Sequence, residues 1–267
     1  MPRWPAWARV LVIVLAPACA PAAAATAPGF VEEPVGSGWN AVVGVTFDQA
    51  GNLYGWEKAG RVWIVHPDGT KHPTPLIDLT EEVGNWTDHG LLGFTLDPDF
   101  LSNGYIYLFY VVDRHHLLHY GTPSYSPTTD EYFNATIARI TRYTALAADN
   151  FESVDPASRL VLVGETKSTG FPITYQSHGV GTLVFATDGT LLASCGDGAS
   201  YDAVDNGGSD GGSYAPQALA DGILDARQDV GAFRAQLLDS LSGKILRLDP
   251  ATGNGVPSNP FYSAAAP

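Results

Sequence analysis

Apolar and polar positions recur along the chain as a module. Gly44-Val45-Thr46-Phe47 enters the turn Asp48-Gln49-Ala50-Gly51 and leaves it through Asn52-Leu53-Tyr54. Gly93-Phe94-Thr95-Leu96 enters Asp97-Pro98-Asp99-Phe100 and continues through Asn103-Gly104 into Tyr105-Ile106-Tyr107-Leu108. Gly181-Thr182-Leu183-Val184-Phe185 enters Asp188-Gly189 and leaves through Thr190-Leu191-Leu192. Each reads as an apolar strand, an Asp/Gly turn and a second apolar strand, because Gly and Asn tolerate the positive φ of tight hairpin turns. Phe47, Leu96 and Phe185 are equivalent anchors, 49 and 89 residues apart. Those separations are near one and two units of about 45 residues, the length of a four-stranded propeller blade. A further unit is expected at Gly243-Lys244-Ile245-Leu246-Arg247-Leu248-Asp249, with its turn at Thr252-Gly253-Asn254-Gly255.

The fold class predicted is therefore all-β: a β-propeller, present as an incomplete set of about four blades. Gly121 to Tyr132 and Gly198 to Tyr214 read as loops, the second long enough to suggest a functional one. From Asp229 to Leu241, apolar residues at Val230, Phe233, Leu237, Leu238 and Leu241 predict one short helix. The chain stops in Ser263-Ala264-Ala265-Ala266-Pro267, mid-connection, and an open propeller leaves unpaired edges, so the expectation is the N-terminal part of a longer propeller.

Composition agrees with a β-rich extracytoplasmic protein: 29 Gly, 19 Pro, 6 Trp, 12 Tyr and 11 Phe, with 16% charged residues, where about 25% is usual. With 14 Lys+Arg against 28 Asp+Glu the net charge is −14, which argues against a nucleic-acid partner and an anionic membrane surface. The first 25 residues carry only Arg3 and Arg9 as charges, then the short apolar run Val10 to Leu15, then Ala-rich sequence. That is a secretory signal, too short to span a bilayer, with cleavage expected after Ala25 and residues 26–267 as the mature domain. A secreted or periplasmic location follows. A lipoprotein reading of Cys19 is poorly served by Ala16-Pro17-Ala18 before it. Cys195 is then a single thiol in an apolar strand, expected to be buried and inert.

His178, just before a strand, is the candidate general base, where a propeller puts loop residues over its central channel; the alternative is a hydrogen-bonded surface histidine. Asp88 and His89 hold the same place in their own unit and would face the same channel, or form a polar turn. Asp197 ends a strand, where it could orient a ligand, bind a cation or cap the turn. Asp113-Arg114-His115-His116-Leu117-Leu118-His119 has the residue types of a metal site, but His115 and His119 share a face only on a helix, and the segment reads as a strand followed by a loop, so no metal site is expected. Asp202, Asp205 and Asp210 could bind calcium, though without the alternating spacing of an EF-hand. Asn85-Trp86-Thr87 and Asn134-Ala135-Thr136 are glycosylation sequons.

Three segments taken in order resemble the glucose/sorbosone dehydrogenase family. They are Gly90-Leu91-Leu92-Gly93 with Asp97-Pro98-Asp99-Phe100 and Asn103-Gly104-Tyr105-Ile106-Tyr107; His178-Gly179-Val180-Gly181 through Asp188-Gly189 to Gly196-Asp197-Gly198; and Leu241 to Asp249, closed by Ser258-Asn259-Pro260-Phe261. The resemblance covers residues 40 to 262. It implies a six-bladed propeller with pyrroloquinoline quinone (PQQ) over the channel and calcium beneath it, oxidising aldoses at C1. His178 matches the histidine that takes the hydroxyl proton as hydride passes to the quinone; Asp88, His89, Ser177 and Asp197 are the expected substrate- or cofactor-binding residues. Ser177 stands where soluble glucose dehydrogenases carry Asp, and Asp88 where they carry Gln, so the resemblance leaves the sugar open, as it does the electron acceptor. The family's quinone-clamping residues and calcium ligands are expected beyond residue 267, and the chain alone is expected to be inactive. The alternatives are a non-catalytic carbohydrate- or protein-binding propeller, and a glycosidase using Asp88 and Asp197 as paired carboxylates.

Overall fold

A computed structural model describes residues 27–264. The expected export segment, Cys19 included, lies outside them. The described residues divide into two units, one ending at Pro34 and the other beginning at Val35. In the described part of the first, Phe30 N–H donates to Ala27 O at 3.0 Å and the Phe30 and Val31 side chains are exposed. Among the described residues no helix is long and apolar enough to cross a membrane.

The second unit is built of three antiparallel sheets. The first holds β1 (Val42–Phe47), β2 (Leu53–Glu57), β3 (Arg61–Val65) and β4 (Ile77–Asp78) in sequence order. The second holds β5 (Leu91–Leu96), β6 (Tyr105–Val111), β7 (Thr136–Ala145) and β8 (Val154–Val163), with β9 (Phe171–Ile173) also paired to β7. The third holds β10 (Val180–Phe185), β11 (Leu191–Cys195) and β12 (Ile245–Leu248). Helices are few and short: α1 (Phe100–Asn103), α2 (Arg114–His119) and α3 (Ala215–Asp221).

The predicted anchors Phe47, Leu96 and Phe185 are the last residues of the first strand of each sheet, and the turn aspartates do the same work twice. Asp48 Oδ1 accepts the Ala50 and Asn52 N–H groups at 2.9 Å, while Oδ2 accepts the Tyr54 hydroxyl at 3.1 Å. Asp97 Oδ1 accepts the Asp99 N–H at 2.9 Å, and Oδ2 accepts the Tyr107 hydroxyl at 3.2 Å. At the other end, each first strand carries a register break beside its glycine: between Val42 and Gly44, between Leu91 and Gly93, and across Gly181 between Val180 and Leu183. Bulges of this kind re-aim side chains at rims and active sites.

β6 explains why the sheets pack face to face. Its run Tyr-Ile-Tyr-Leu-Phe-Tyr-Val lacks polar alternation, as a strand buried on both faces should. Ile106, Leu108 and Tyr110 join one core with Tyr54, Val62, Ile64 and Phe94; Tyr107, Phe109 and Val111 join a second with Phe171, Leu183, Leu191 and Ala193. The period of two thus hands alternate side chains to the first and third sheets. On β1, by contrast, Val43, Val45 and Phe47 are exposed.

Three expectations are corrected. The fourth unit is not separate: Gly243–Asp249 supplies β12, which pairs with β11 and completes the third sheet. The interval from Leu96 to Phe185 is one sheet enlarged by insertions rather than two units, so the described residues form three sheets where the spacing gave about four. Between Asp229 and Leu241 the backbone makes a 3-10 turn over Gly231–Gln236, with Phe233 and Leu238 exposed, not an amphipathic helix. Cys195 is buried, and burial pushes its thiol up to about 12.

Candidate functional site

The site lies where the first strands of the second and third sheets begin. The loop before β5 presents Thr87, Asp88 and His89; the loop before β10 presents Tyr175 to Gly179. Hydrogen bonds stitch the two together. The Ser177 hydroxyl donates to Asp88 Oδ2 and the Thr87 hydroxyl to Gln176 O. The Asp88 N–H reaches Gln176 O at 3.4 Å, and His89 Nε2 donates to Tyr175 O at 2.7 Å.

His178 is the strained member. Its φ is +56°, the left-handed region that non-glycine residues seldom occupy. The end of β11 clasps it there: Gly198 N–H donates to His178 O at 2.9 Å, and Gly196 N–H donates to Gly179 O at 2.7 Å. A Cβ on Gly196 would stand 2.3 Å from His178 O, so only glycine permits this approach. The ring leans on Asp197, with Nδ1 and Oδ1 3.2 Å apart. A carboxylate only accepts, so this contact places the proton on Nδ1 and leaves Nε2 as the free lone pair. Asp197 Oδ1 is itself fixed by the Ala199 N–H at 3.0 Å. The His178 side chain is 44% exposed, and Asp88 is also open to solvent.

His89 and Ser177 differ from expectation. His89 is 0% exposed and cannot touch a ligand. Burial holds its pKa below the ordinary histidine value, with the Tyr175 carbonyl bond and the Asp88 charge opposing, and its Nδ1 has no hydrogen-bond partner. It is a positioning residue, wedged under Gly179, where an added Cβ would lie 2.9 Å from the imidazole. Ser177 is likewise buried and acts through Asp88. The residues brought together at the surface are His178, Asp88 and Asp197.

Sequence reasoning missed Lys58. It follows directly on β2, on the same rim, and its ammonium donates to Thr87 O at 2.5 Å. Burial lowers its pKa while the Asp88 charge raises it. The signal was available: Lys58 stands at the end of a second strand, as Asp197 does.

An imidazole with Nε2 free beside the carboxylates of Asp88 and Asp197 has the chemistry to accept hydrogen bonds from the hydroxyls of a neutral polyol. The same set does not fit PQQ, a polycarboxylate, because Asp88 and Asp197 oppose it and the cation here, Lys58, is already engaged. Nor do the loop aspartates gather for calcium. The Asp202 carboxylate accepts the Tyr175 hydroxyl, Asp205 accepts the Ser200 and Gly207 N–H groups at 3.0 Å, and Asp210 accepts the Asn206 N–H at 3.3 Å.

Comparison with known proteins bears on the family and the fold. The family model for glucose/sorbosone dehydrogenase matches residues 40–267. The PQQ-bound aldose sugar dehydrogenase of Streptomyces coelicolor is similar at 21% identity, over 87% of this chain and 51% of that one, with a TM-score of 0.54. A putative oxidoreductase (glucose dehydrogenase) of Thermus thermophilus is similar at 22% identity, over 88% of this chain and 51% of that one, with a TM-score of 0.55. The apo soluble aldose sugar dehydrogenase of Escherichia coli is similar at 18% identity, over 85% of this chain and 48% of that one, with a TM-score of 0.50. The likeness is one of fold, and the chain spans about half the length of these structures. No curated protein matches.

Proposed function

The chain belongs to the glucose/sorbosone dehydrogenase family, and from that premise we propose that it carries the proton-abstracting part of a PQQ-dependent aldose dehydrogenase built on a propeller. The observation that supports this most is His178, held in a left-handed backbone conformation with Nδ1 on Asp197 and Nε2 free. Strain kept in place by over-determined hydrogen bonds is what preorganised catalytic positions display.

In this reading an aldose stands over His178 with its C1 hydroxyl on Nε2. The imidazole takes the hydroxyl proton, and Asp197 stabilises the imidazolium as it forms. Asp88, its Oδ2 fixed by the Ser177 hydroxyl, orients a neighbouring sugar hydroxyl through its remaining lone pairs. PQQ, which the Streptomyces coelicolor relative carries, would supply the oxidising chemistry in this reading, and its carboxylates would have to be held by residues other than Asp88 and Asp197.

The test is aldose-dependent dye reduction by the full-length protein supplied with PQQ and Ca2+. His178→Gln is expected to lower the rate by roughly 10²–10⁴-fold, with sugar binding retained. An undiminished rate refutes the assignment. Sugar binding without dye reduction in the unsubstituted protein would make the chain a carbohydrate-binding propeller instead.

A further inference from the structure

The segment after β6 does not run on as a loop. It forms α2, whose N-terminus is capped by Asp113: Oδ1 accepts the His115 N–H at 2.8 Å and the His116 N–H at 3.3 Å. The helix sets His115 and His119 one turn apart on one face, and their ring centroids are 4.8 Å apart. The other oxygen of Asp113 accepts the Glu131 N–H at 3.0 Å, which ties the far end of the 121–132 loop against that face. As a result one ligand atom from each of His115, His119 and Glu131 falls within 4.8 Å of the others, alone among the described residues in doing so.

We propose that His115, His119 and Glu131 form a binding site for a borderline divalent cation of the Zn2+, Co2+ or Ni2+ class, independent of the redox reading above. Two imidazoles and one carboxylate are a donor set for such ions, whereas calcium takes six to eight oxygens. The supporting contacts are those of ligands held from behind. His119 Nδ1 bonds the Ser124 hydroxyl at 3.1 Å, leaving Nε2, which has no protein partner among the described residues, as its ligand atom. Arg114 Nε lies 3.3 Å from Glu131 Oε2, leaving Oε1 toward His115 Nδ1 at 3.4 Å. The Tyr125 ring stacks on His115 at 5.6 Å and 17°. His115 is buried while His119 and Glu131 are half-buried, which gives the ion an entry path and leaves its remaining positions to water.

One local bond must yield. Ser126 N–H donates to His115 Nε2 at 3.1 Å, so without metal the ring carries its proton on Nδ1, toward Glu131. The ion takes the place of that proton, the ring is protonated on Nε2 instead, and the Ser126 amide turns to solvent. A second histidine pair, His66 and His72, also flanks a carboxylate, but their Nε2 atoms address different oxygens of Glu152, at 3.7 and 3.5 Å, and do not converge.

The experiment is titration of the intact chain with Co2+, read by its visible ligand-field bands, with Zn2+ displacement followed by calorimetry. One ion per chain is expected. His119→Ala and Glu131→Gln, both at solvent-accessible positions, should each weaken binding by roughly 100-fold or more, beyond the 10–100-fold typical of supporting residues, with circular dichroism unchanged. The double variant His66→Ala/His72→Ala should bind as the parent does. The site is refuted if no bands develop, if His119→Ala leaves them intact, or if they disappear only in the His66/His72 variant.

Discussion

His178 can be used to weigh the backbone strain at the site separately from its chemistry. The perturbation is a pair of substitutions, His178→Gly and His178→Ala. Both remove the imidazole and its contact with Asp197, so those losses cancel in the comparison. What remains is the cost of φ +56° for a residue with a Cβ. A left-handed residue costs about 1–2 kcal/mol when it is not glycine. Glycine in turn gives back about 0.5–1 kcal/mol through its larger unfolded-state entropy. The glycine variant should therefore be at least as stable, by about 0–1.5 kcal/mol, the reverse of the order at an ordinary helix or strand position. A domain of this size shifts by about 2–4 °C in Tm for each kcal/mol. Urea unfolding followed by tryptophan fluorescence measures the difference directly. If alanine proves clearly more stable than glycine, the left-handed clasp by Gly196 and Gly198 does not hold His178 in solution, and the preorganisation inferred for its imidazole is refuted.

Two further outcomes follow from buried charge. Glu82 Oε1 accepts Arg139 Nη1 at 2.5 Å, Arg159 Nη2 at 2.7 Å and the Tyr110 hydroxyl at 2.8 Å, so Glu82→Gln leaves the buried Arg139 uncompensated and should cost about 3–5 kcal/mol in urea unfolding; a loss below about 1 kcal/mol would mean that water reaches the network. His89 is buried neutral with a pKa below its ordinary value, so as pH falls through about 6.5 the unfolded chain takes the proton first and stability declines until the folded value is passed. His116, lowered by burial in the same sense, adds to the slope, and His89→Leu should flatten part of it while costing about 1–3 kcal/mol for the unpaired Tyr175 carbonyl; an unchanged slope would refute a neutral His89.

The strand–turn–strand modules were legible because their signal is local: a glycine, an apolar run and an aspartate within a dozen residues. What failed was non-local. β12 joins β11 across a long excursion, and nothing in Ile245-Leu246-Arg247-Leu248 records which strand it will pair with. α2 was missed because Arg114 to His119 is too short for apolar periodicity to show, although Asp113 is the capping residue that announces it. At the candidate site, position before or after a strand put His178, Asp88 and Asp197 on one rim, as the structure has them. It could not tell the accessible Asp88 from the adjacent buried His89, since that depends on the neighbouring sheet's Gly179 closing over the ring.

That dependence on a neighbour has a consequence for how the site would lose function. His178 is fixed within its own sheet by Gly196 and Gly198, but its relation to Asp88 is set by four hydrogen bonds that cross to the next sheet. At about 1 kcal/mol each, these are a small share of what holds the two sheets together, since the core between β6 and the third sheet alone buries several aromatic and aliphatic side chains worth about 1.5–3 kcal/mol apiece. The loops can therefore part while the sheets stay packed. Alignment of the Asp88 carboxylate with His178 should be lost under milder denaturant or heat than the fold, and Ser177→Ala, which removes a crossing bond without touching either core, should widen that gap between loss of alignment and loss of fold.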